Sequence, residues 1–382
     1  MIGSDNHFPR DFNLSEAEGK NLKYGWTTGA CAAAASKAAF EALVTGRFEN
    51  TVTIKLPKGQ TPTFEVVKPE LTKKHATAGI IKDAGDDPDV THGAMIVAKI
   101  SKGGSGVTFK AGEGVGTVTK PGLPLDVGEP AINPAPRQMI ENVIKEVATA
   151  HNEATDVIVE ISVPGGVSIA KKTWNGRLGI VGGLSILGTT GIVVPYSCSA
   201  WIHSIHRGID VARATKLTHI GAAVGNTSEK LLMSHHGLDE QAIIDMGDFV
   251  GGMLKYLKKN PVPSITIAGG FGKMSKLAGG AMDLHSKRSQ VDKKALGKLL
   301  AELGADEKTV NSATEANTAL EILELAGAQK IPLGDRVAAV AADIVREKLD
   351  GTGINIEILI CDRTGKMVGS ANIQNASKRS DN

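Results

Sequence analysis

Asp83, Asp86, Asp87 and Asp89 crowd with His92 into ten residues of the segment Lys82-Asp83-Ala84-Gly85-Asp86-Asp87-Pro88-Asp89-Val90-Thr91-His92-Gly93. Pro88 has no amide hydrogen and turns Asp87 away from helical space, and Gly85 and Gly93 interrupt any regular period. The segment is therefore expected to be a loop. Like charges held this close perturb one another, and such a cluster can manage a proton, hold a cation such as Mg²⁺, or meet a charged ligand. An Asp-rich turn whose side chains cap backbone amides has the same spacing. Spacing alone leaves both readings open.

Other segments have compositions suited to binding. Gly25-Trp26-Thr27-Thr28-Gly29-Ala30-Cys31 runs into an alanine stretch, so Thr27 or Thr28 can cap a helix that another backbone or a flat ligand approaches closely. Cys31 in its first turn reads as a buried, inert thiol. Gly183-Leu184-Ser185-Ile186-Leu187-Gly188-Thr189-Thr190-Gly191 repeats the Thr-Thr-Gly of 27–29, and its amides and hydroxyls could hold carboxylates; a plain crossover between domains is the alternative. Gly112-Glu113-Gly114-Val115-Gly116 nears a dinucleotide fingerprint, but strand and turn follow it instead of a helix, so a glycine-rich hairpin or flap is expected.

His203, His206, Arg207 and Asp210 share one face of a helix whose apolar face is Ile202, Ile205, Ile209 and Ala212. With no third ligand nearby, a solvated or anion-binding face outranks a metal site. Gly225-Asn226-Thr227-Ser228 and Gly269-Gly270-Phe271-Gly272-Lys273 each lead from a short strand into a helix. Glycine there lies where α/β sheets bind ligands. The second lacks the first glycine and the Ser/Thr of a phosphate loop, so the pair suggests a nucleotide-like cofactor cleft or merely two tight turns.

The elements that must position these residues divide the 382-residue chain in two. The first part reads as strands at 51–56, 63–67, 94–100, 106–110, 156–162 and 166–172, with helices at 28–44 and 134–150: an α+β domain with a mixed or antiparallel sheet. The second alternates short buried strands (218–224, 264–268, 355–361) with helices (197–214, 241–258 and three more), a Rossmann-like α/β domain with a mainly parallel sheet. The expected divisions are 1–195, 196–369 and a polar, flexible tail at 370–382. Net charge +2 and only 3 Trp, 3 Tyr and 8 Phe argue against nucleic acid as a partner. The three cysteines, Cys31, Cys198 and Cys361, form no CxxC motif and suit a reducing compartment. Residues 1–20 lack an apolar leader core and no run reaches membrane-spanning length. A cytoplasmic protein is expected.

GWTTGACAAAASKAA (25–39), KDAGDDPDVTHGA (82–94), GEGVGTVTKPGLPL (112–125), INPAPRQMI (132–140), GGLSILGTTGIVVP (182–195) and HIGAAVGNTSE (219–229) together resemble the CbiD family of the anaerobic cobalamin (vitamin B12) pathway. The resemblance spans nearly the whole chain in one order. It implies methyl transfer from S-adenosyl-L-methionine to C-1 of cobalt-precorrin-5B, giving cobalt-precorrin-6A. Cobalt would arrive only as part of the substrate, and no protein-bound metal is implied. Neighbouring enzymes of the pathway are implied as transient hand-over partners. On this reading Asp87, His92 and Asp83 are candidates for proton transfer. Thr27, Thr28, Gly29, Asp86, Asp89, Thr91, Arg137, Thr189, Thr190, Gly191, His203 and Arg207 would meet the macrocycle. Gly225, Asn226, Thr227, Ser228, Gly269, Gly270, Gly272 and Lys273 would hold the cofactor. A Mg²⁺-dependent phosphoryl-transfer or hydrolytic enzyme built on the aspartates, and a tetrapyrrole carrier without catalysis, are the competing expectations.

Overall fold

The structure, a computed structural model, describes residues 22–374. The features read at 1–20 and the end of the tail from 375 lie outside the described residues. The chain forms two compact units that divide between Ser197 and Cys198.

In the first unit, α1 (Thr28–Thr45) is buried on nearly every side, with Ala30 to Ala35 all at 0% exposure. Small side chains make this possible: a helix apolar all round belongs inside, and alanine lets its neighbours approach closely. It follows β1 (Gly25–Trp26) and packs against β5 (His75–Ile81), β6 (Met95–Lys102) and α2 (Pro134–His151). The hairpin β2 (Thr51–Thr53) and β3 (Thr63–Glu65) precedes β4 (Val67–Leu71). With β7 (Val107–Ala111) and β9 (Val157–Ser162), the main sheet has the order β4-β5-β6-β9-β7 and is antiparallel except where β7 meets β9. Short pairs complete the unit: β8 (Thr117–Val118) with β10 (Ile180–Val181), and β1 with β11 (Ile192–Val193), both antiparallel. The mixed-sheet α+β expectation holds.

Two local expectations fail here. Residues 166–172 read as a strand but form α3 (Gly166–Ala170), a single turn entered through Gly165 at φ 74°. Strand β5 was not anticipated because its Ala-Thr-Ala-Gly run carries little apolar alternation, yet α1 buries most of it.

The second unit begins with α4 (Cys198–Ala214), β12 (His219–Ala223) and α5 (Asn226–His236). The stretch 241–258 is not one helix. It starts in a 3₁₀ turn and strand β13 (Ile243–Asp245), and only α6 (Val250–Lys259) is helical. A strand of three residues, Ile243-Ile244-Asp245, is too short to reveal by period whether it is strand or helix. Then come β14 (Ser264–Gly270), α7 (Phe271–Ala278), α8 (Lys293–Glu302), α9 (Glu307–Glu315), α10 (Ala319–Ala328), α11 (Leu333–Lys348), β15 (Asn355–Cys361) and β16 (Met367–Ile373). The sheet order is β13-β12-β14-β15-β16, parallel except for β16. β16 corrects the expected tail, since residues 370–373 are strand. Its sequence MVGSANI looks loop-like because an edge strand half in water needs few apolar residues.

Candidate functional site

Three segments of the first unit meet at the aspartate loop. Lys82 and Ala94 close its base, with the Lys82 amide 2.9 Å from the Ala94 carbonyl. Trp26 donates its amide to the Asp83 carbonyl at 2.7 Å, and Asp86 donates to that of Lys23 at 2.9 Å. Thr27 donates to the Gly191 carbonyl at 3.0 Å, and Gly29 to that of Leu187 at 2.9 Å. The two Thr-Thr-Gly segments therefore run side by side against the loop. Gly85 makes the crossing possible: at φ +64° it occupies left-handed space, and a Cβ there would stand 2.1 Å from the Lys23 carbonyl oxygen.

Two of the four aspartates are paired with a lysine. Asp83 meets the Lys23 ammonium at 2.5 Å and accepts the Gly85 amide. The Lys23 bond holds its carboxyl below the ordinary range despite partial burial. Asp86 accepts the Lys23 amide at 2.7 Å. Asp89 faces Lys82, which is 1% exposed, at 2.7 Å, and its other oxygen takes the Thr91 amide and hydroxyl. Burial pushes the Asp89 carboxyl up, but Lys82 and Thr91 together outweigh it and hold it low. The capping reading therefore describes Asp83, Asp86 and Asp89. Their ligand atoms do not converge: among the described residues the only such gathering of three His, Cys, Asp or Glu lies in the second unit. That removes the structural basis for a Mg²⁺ site in this loop.

Asp87 differs. It accepts the Tyr196 amide at 2.8 Å, and burial raises its pKa, with Asp89 adding to the effect. His92 is exposed, and its Nδ1 accepts the Ala84 amide at 3.1 Å. With Nδ1 occupied as an acceptor, the neutral ring carries its proton on Nε2.

Several expected contact residues are engaged within the fold. Thr27 caps α1 by accepting the Ala30 amide at 3.1 Å, and Thr28 Oγ1 accepts that of Leu187 at 2.9 Å; both threonines are buried. Gly29 is buried where a Cβ would stand 2.7 Å from Pro136. Thr190 Oγ1 accepts the Ile192 amide at 3.2 Å, and Gly191 is buried against Leu56. Thr91 is buried on Asp89. Arg137 is committed to Glu129 at 2.8 Å and to the Ile132 and Pro130 carbonyls. Thr189 and Asp86 remain exposed at the ridge. His203 and Arg207 belong to α4 of the second unit, where Arg207 pairs with Asp210 at 3.0 Å. Cys31 is fully buried with its pKa pushed up to about 12 by desolvation, an inert thiol.

In the second unit the two glycine turns follow adjacent parallel strands, β12 and β14. Gly225 and Gly270 have open space beside them: a Cβ on either would meet no atom within 4 Å. They fit a ligand laid against bare backbone, and Asn226 and Thr227 are exposed beside Gly225. Ser228 does not face such a ligand, because its buried hydroxyl is folded onto Gly225 at 2.8 Å. Gly269 is a packing glycine, 2.6 Å from Met274 by the same measure. Gly272 lies at ordinary contact distance from Ala319, and Lys273 is engaged by Asp248 at 2.5 Å.

A two-unit α/β protein with a buried alanine helix and an aspartate loop is thus defined by geometry, and comparison of its sequence with known proteins gives its family. The CbiD family model matches residues 15–195, and that of the CbiD C-terminal domain matches residues 283–372. The chain is 57% identical over 357 residues to the cobalt-precorrin-5B C(1)-methyltransferase of Paramagnetospirillum magneticum, covering 93% of this chain and 99% of that one. For the protein of the same name from Rhodospirillum rubrum the identity is 58%, covering 92% and 98%. The crystal structure of the cobalamin biosynthesis protein (cbiD) from Archaeoglobus fulgidus is 28% identical, covers 70% of this chain and 83% of that one, and has a TM-score of 0.39. The chain belongs to the CbiD family.

Proposed function

We infer that this chain is a cobalt-precorrin-5B C(1)-methyltransferase, which methylates C-1 of the macrocycle in cobalamin biosynthesis. The observation that carries this is identity above half, over nearly the full length of both chains, to proteins bearing that name. The methyl donor is S-adenosyl-L-methionine, whose sulfonium already activates the transferred methyl group. What remains for the protein is to align two large ligands and keep water from between them.

In the proposed division of labour, the backbone at Gly225 and Gly270 holds the cofactor, with Asn226 and Thr227 beside it. The ridge formed by the aspartate loop and residues 187–191 meets the macrocycle. Thr189 and His92 are its outward groups. His92, with its proton on Nε2, suits donation to a substrate carboxylate better than proton removal. Asp87, half-buried and raised in pKa, is the better group to accept a proton from the macrocycle. Cobalt comes within the substrate. No helix among the described residues is long and apolar enough to cross a membrane, and we place the enzyme in the cytoplasm, passing its product to neighbouring enzymes of the pathway.

The test is to incubate the enzyme with S-adenosylmethionine and anaerobically prepared cobalt-precorrin-5B. A product heavier by one methyl group, with one S-adenosylhomocysteine per turnover, is expected. Verified substrate recovered unchanged would sink the assignment, and macrocycle binding without cofactor binding would make the protein a carrier.

A further inference from the structure

His235 and His236 end α5, and Glu357 is the third residue of β15. One ligand atom from each lies within 4.8 Å of the others. His236 and Glu357 are half-buried and His235 is exposed. His236 Nε2 stands 2.5 Å from Glu357 Oε2. The Thr266 hydroxyl, on β14, donates to that same oxygen at 2.7 Å. With its proton directed there, Thr266 Oγ1 accepts from His219 Nε2 at 2.8 Å. Parallel register sets Gly221, Thr266 and Glu357 abreast on β12, β14 and β15. The cluster therefore occupies the end of the sheet where these strands begin, whereas the glycine turns proposed for the cofactor lie where β12 and β14 finish.

We propose that His235, His236 and Glu357 form a binding site for a single divalent transition-metal ion. Two imidazoles and one carboxylate are the donor set of zinc and its neighbours; Mg²⁺ and Ca²⁺ prefer oxygen alone. Ligands about 2.1 Å from a tetrahedral ion stand about 3.4 Å from one another. The His236–Glu357 contact, at 2.5 Å, must therefore open by about 1 Å to admit the ion. His235, unconfined by burial, can swing in as the third ligand. Three protein ligands leave a fourth position open on the solvent side. Thr266, held by His219, orients the carboxylate as outer-sphere partners of metal ligands do. A hydrogen-bonded His236–Glu357 pair with no ion would account for those two residues and Thr266, but gives His235 no part.

Full-length, tag-free protein stripped with a chelator is titrated with Zn²⁺ and separately with Co²⁺ against a chromogenic competitor. One equivalent of either should bind, the Co²⁺ form should show visible ligand-field bands, and Mg²⁺ should not compete. His235→Ala and Glu357→Gln should each lower affinity about 100-fold or more, and Thr266→Val about 10-fold, the range for an outer-sphere partner. His203→Ala, on the unrelated histidine pair of α4, should leave metal affinity unchanged. The proposal is overturned if wild type binds no metal, if it binds no tighter than His235→Ala, or if Glu357→Gln keeps full affinity. Far-UV circular dichroism checks the fold of each variant. Should Glu357→Gln misfold, His235→Ala decides alone, since an exposed side chain can be removed without disturbing the core.

Discussion

At the scale of single residues, the aspartate loop separates into groups with different duties. Lys23 and Lys82 pair directly with Asp83 and Asp89, whereas Asp87 accepts the Tyr196 amide and has a raised pKa. In the unfolded chain an aspartate titrates near 3.8, so between that value and the higher folded one the native state holds a proton that the unfolded state has lost. Stability contributed by Asp87 therefore falls as pH rises through that window. Asparagine keeps the acceptor for Tyr196 without the charge. Asp87→Asn should melt higher than wild type at pH 7, with the gain disappearing in acid, while turnover drops about 100-fold and cofactor affinity holds. Full turnover in that variant would take Asp87 out of the chemistry. Asp89 has the opposite sign: its lowered pKa gives stability that is present above the ordinary aspartate value and lost as pH falls through the folded one. Asp89→Ala strands a buried Lys82 ammonium and should cost about 3–5 kcal/mol in thermal or denaturant unfolding, most of it regained in the Lys82→Met/Asp89→Ala double variant.

Elements decide what the residues can reach. Gly225 and Gly270 gain their meaning from β12 and β14 lying side by side, which the alternation of short apolar runs with helices already foretold. The parallel sheet, α1, α2 and the loop character of 82–93 were all legible in this way. What period could not convey was which hydroxyls the fold would consume: Thr28 and Thr190 read as ligands until Leu187 and Ile192 are seen to occupy them. Nor could it bring Glu357 to His236 across 121 residues, since that depends on the end of α5 packing against β15. The open backbone at Gly270 leads to a direct expectation. At a φ of −67°, with no atom within 4 Å of an added Cβ, Gly270 can accept a side chain, so the stability of Gly270→Val should stay near wild type. Binding of S-adenosylmethionine, read by calorimetry, should be lost. Retained binding there, with loss on Asp87→Ala, would move the cofactor to the first unit.

Across the whole molecule, the buried apolar clusters among the described residues are separate, two within residues 30–192 and two within residues 205–361. Each unit is therefore expected to unfold as its own cooperative block, and a ligand stabilises the unit that binds it. Scanning calorimetry should resolve two transitions. S-adenosylhomocysteine at 100 times its Kd should raise only the one that Asp89→Ala leaves in place, by the equivalent of about 2.7 kcal/mol. If it raises the transition that Asp89→Ala lowers, the proposed division between units is reversed.

The three thiols differ in a way useful at the bench. Cys31 is fully buried, and Cys361 is buried with its pKa raised by desolvation and by Asp362. Cys198 is half-buried, the first residue of the second unit, with an Arg288 nitrogen 3.9 Å from its sulfur. An alkylating fluorophore applied to the native enzyme should therefore attach once, at the point where the chain passes from one unit to the next. No engineered cysteine is needed to place a single label on the native chain, at the first residue of the second unit.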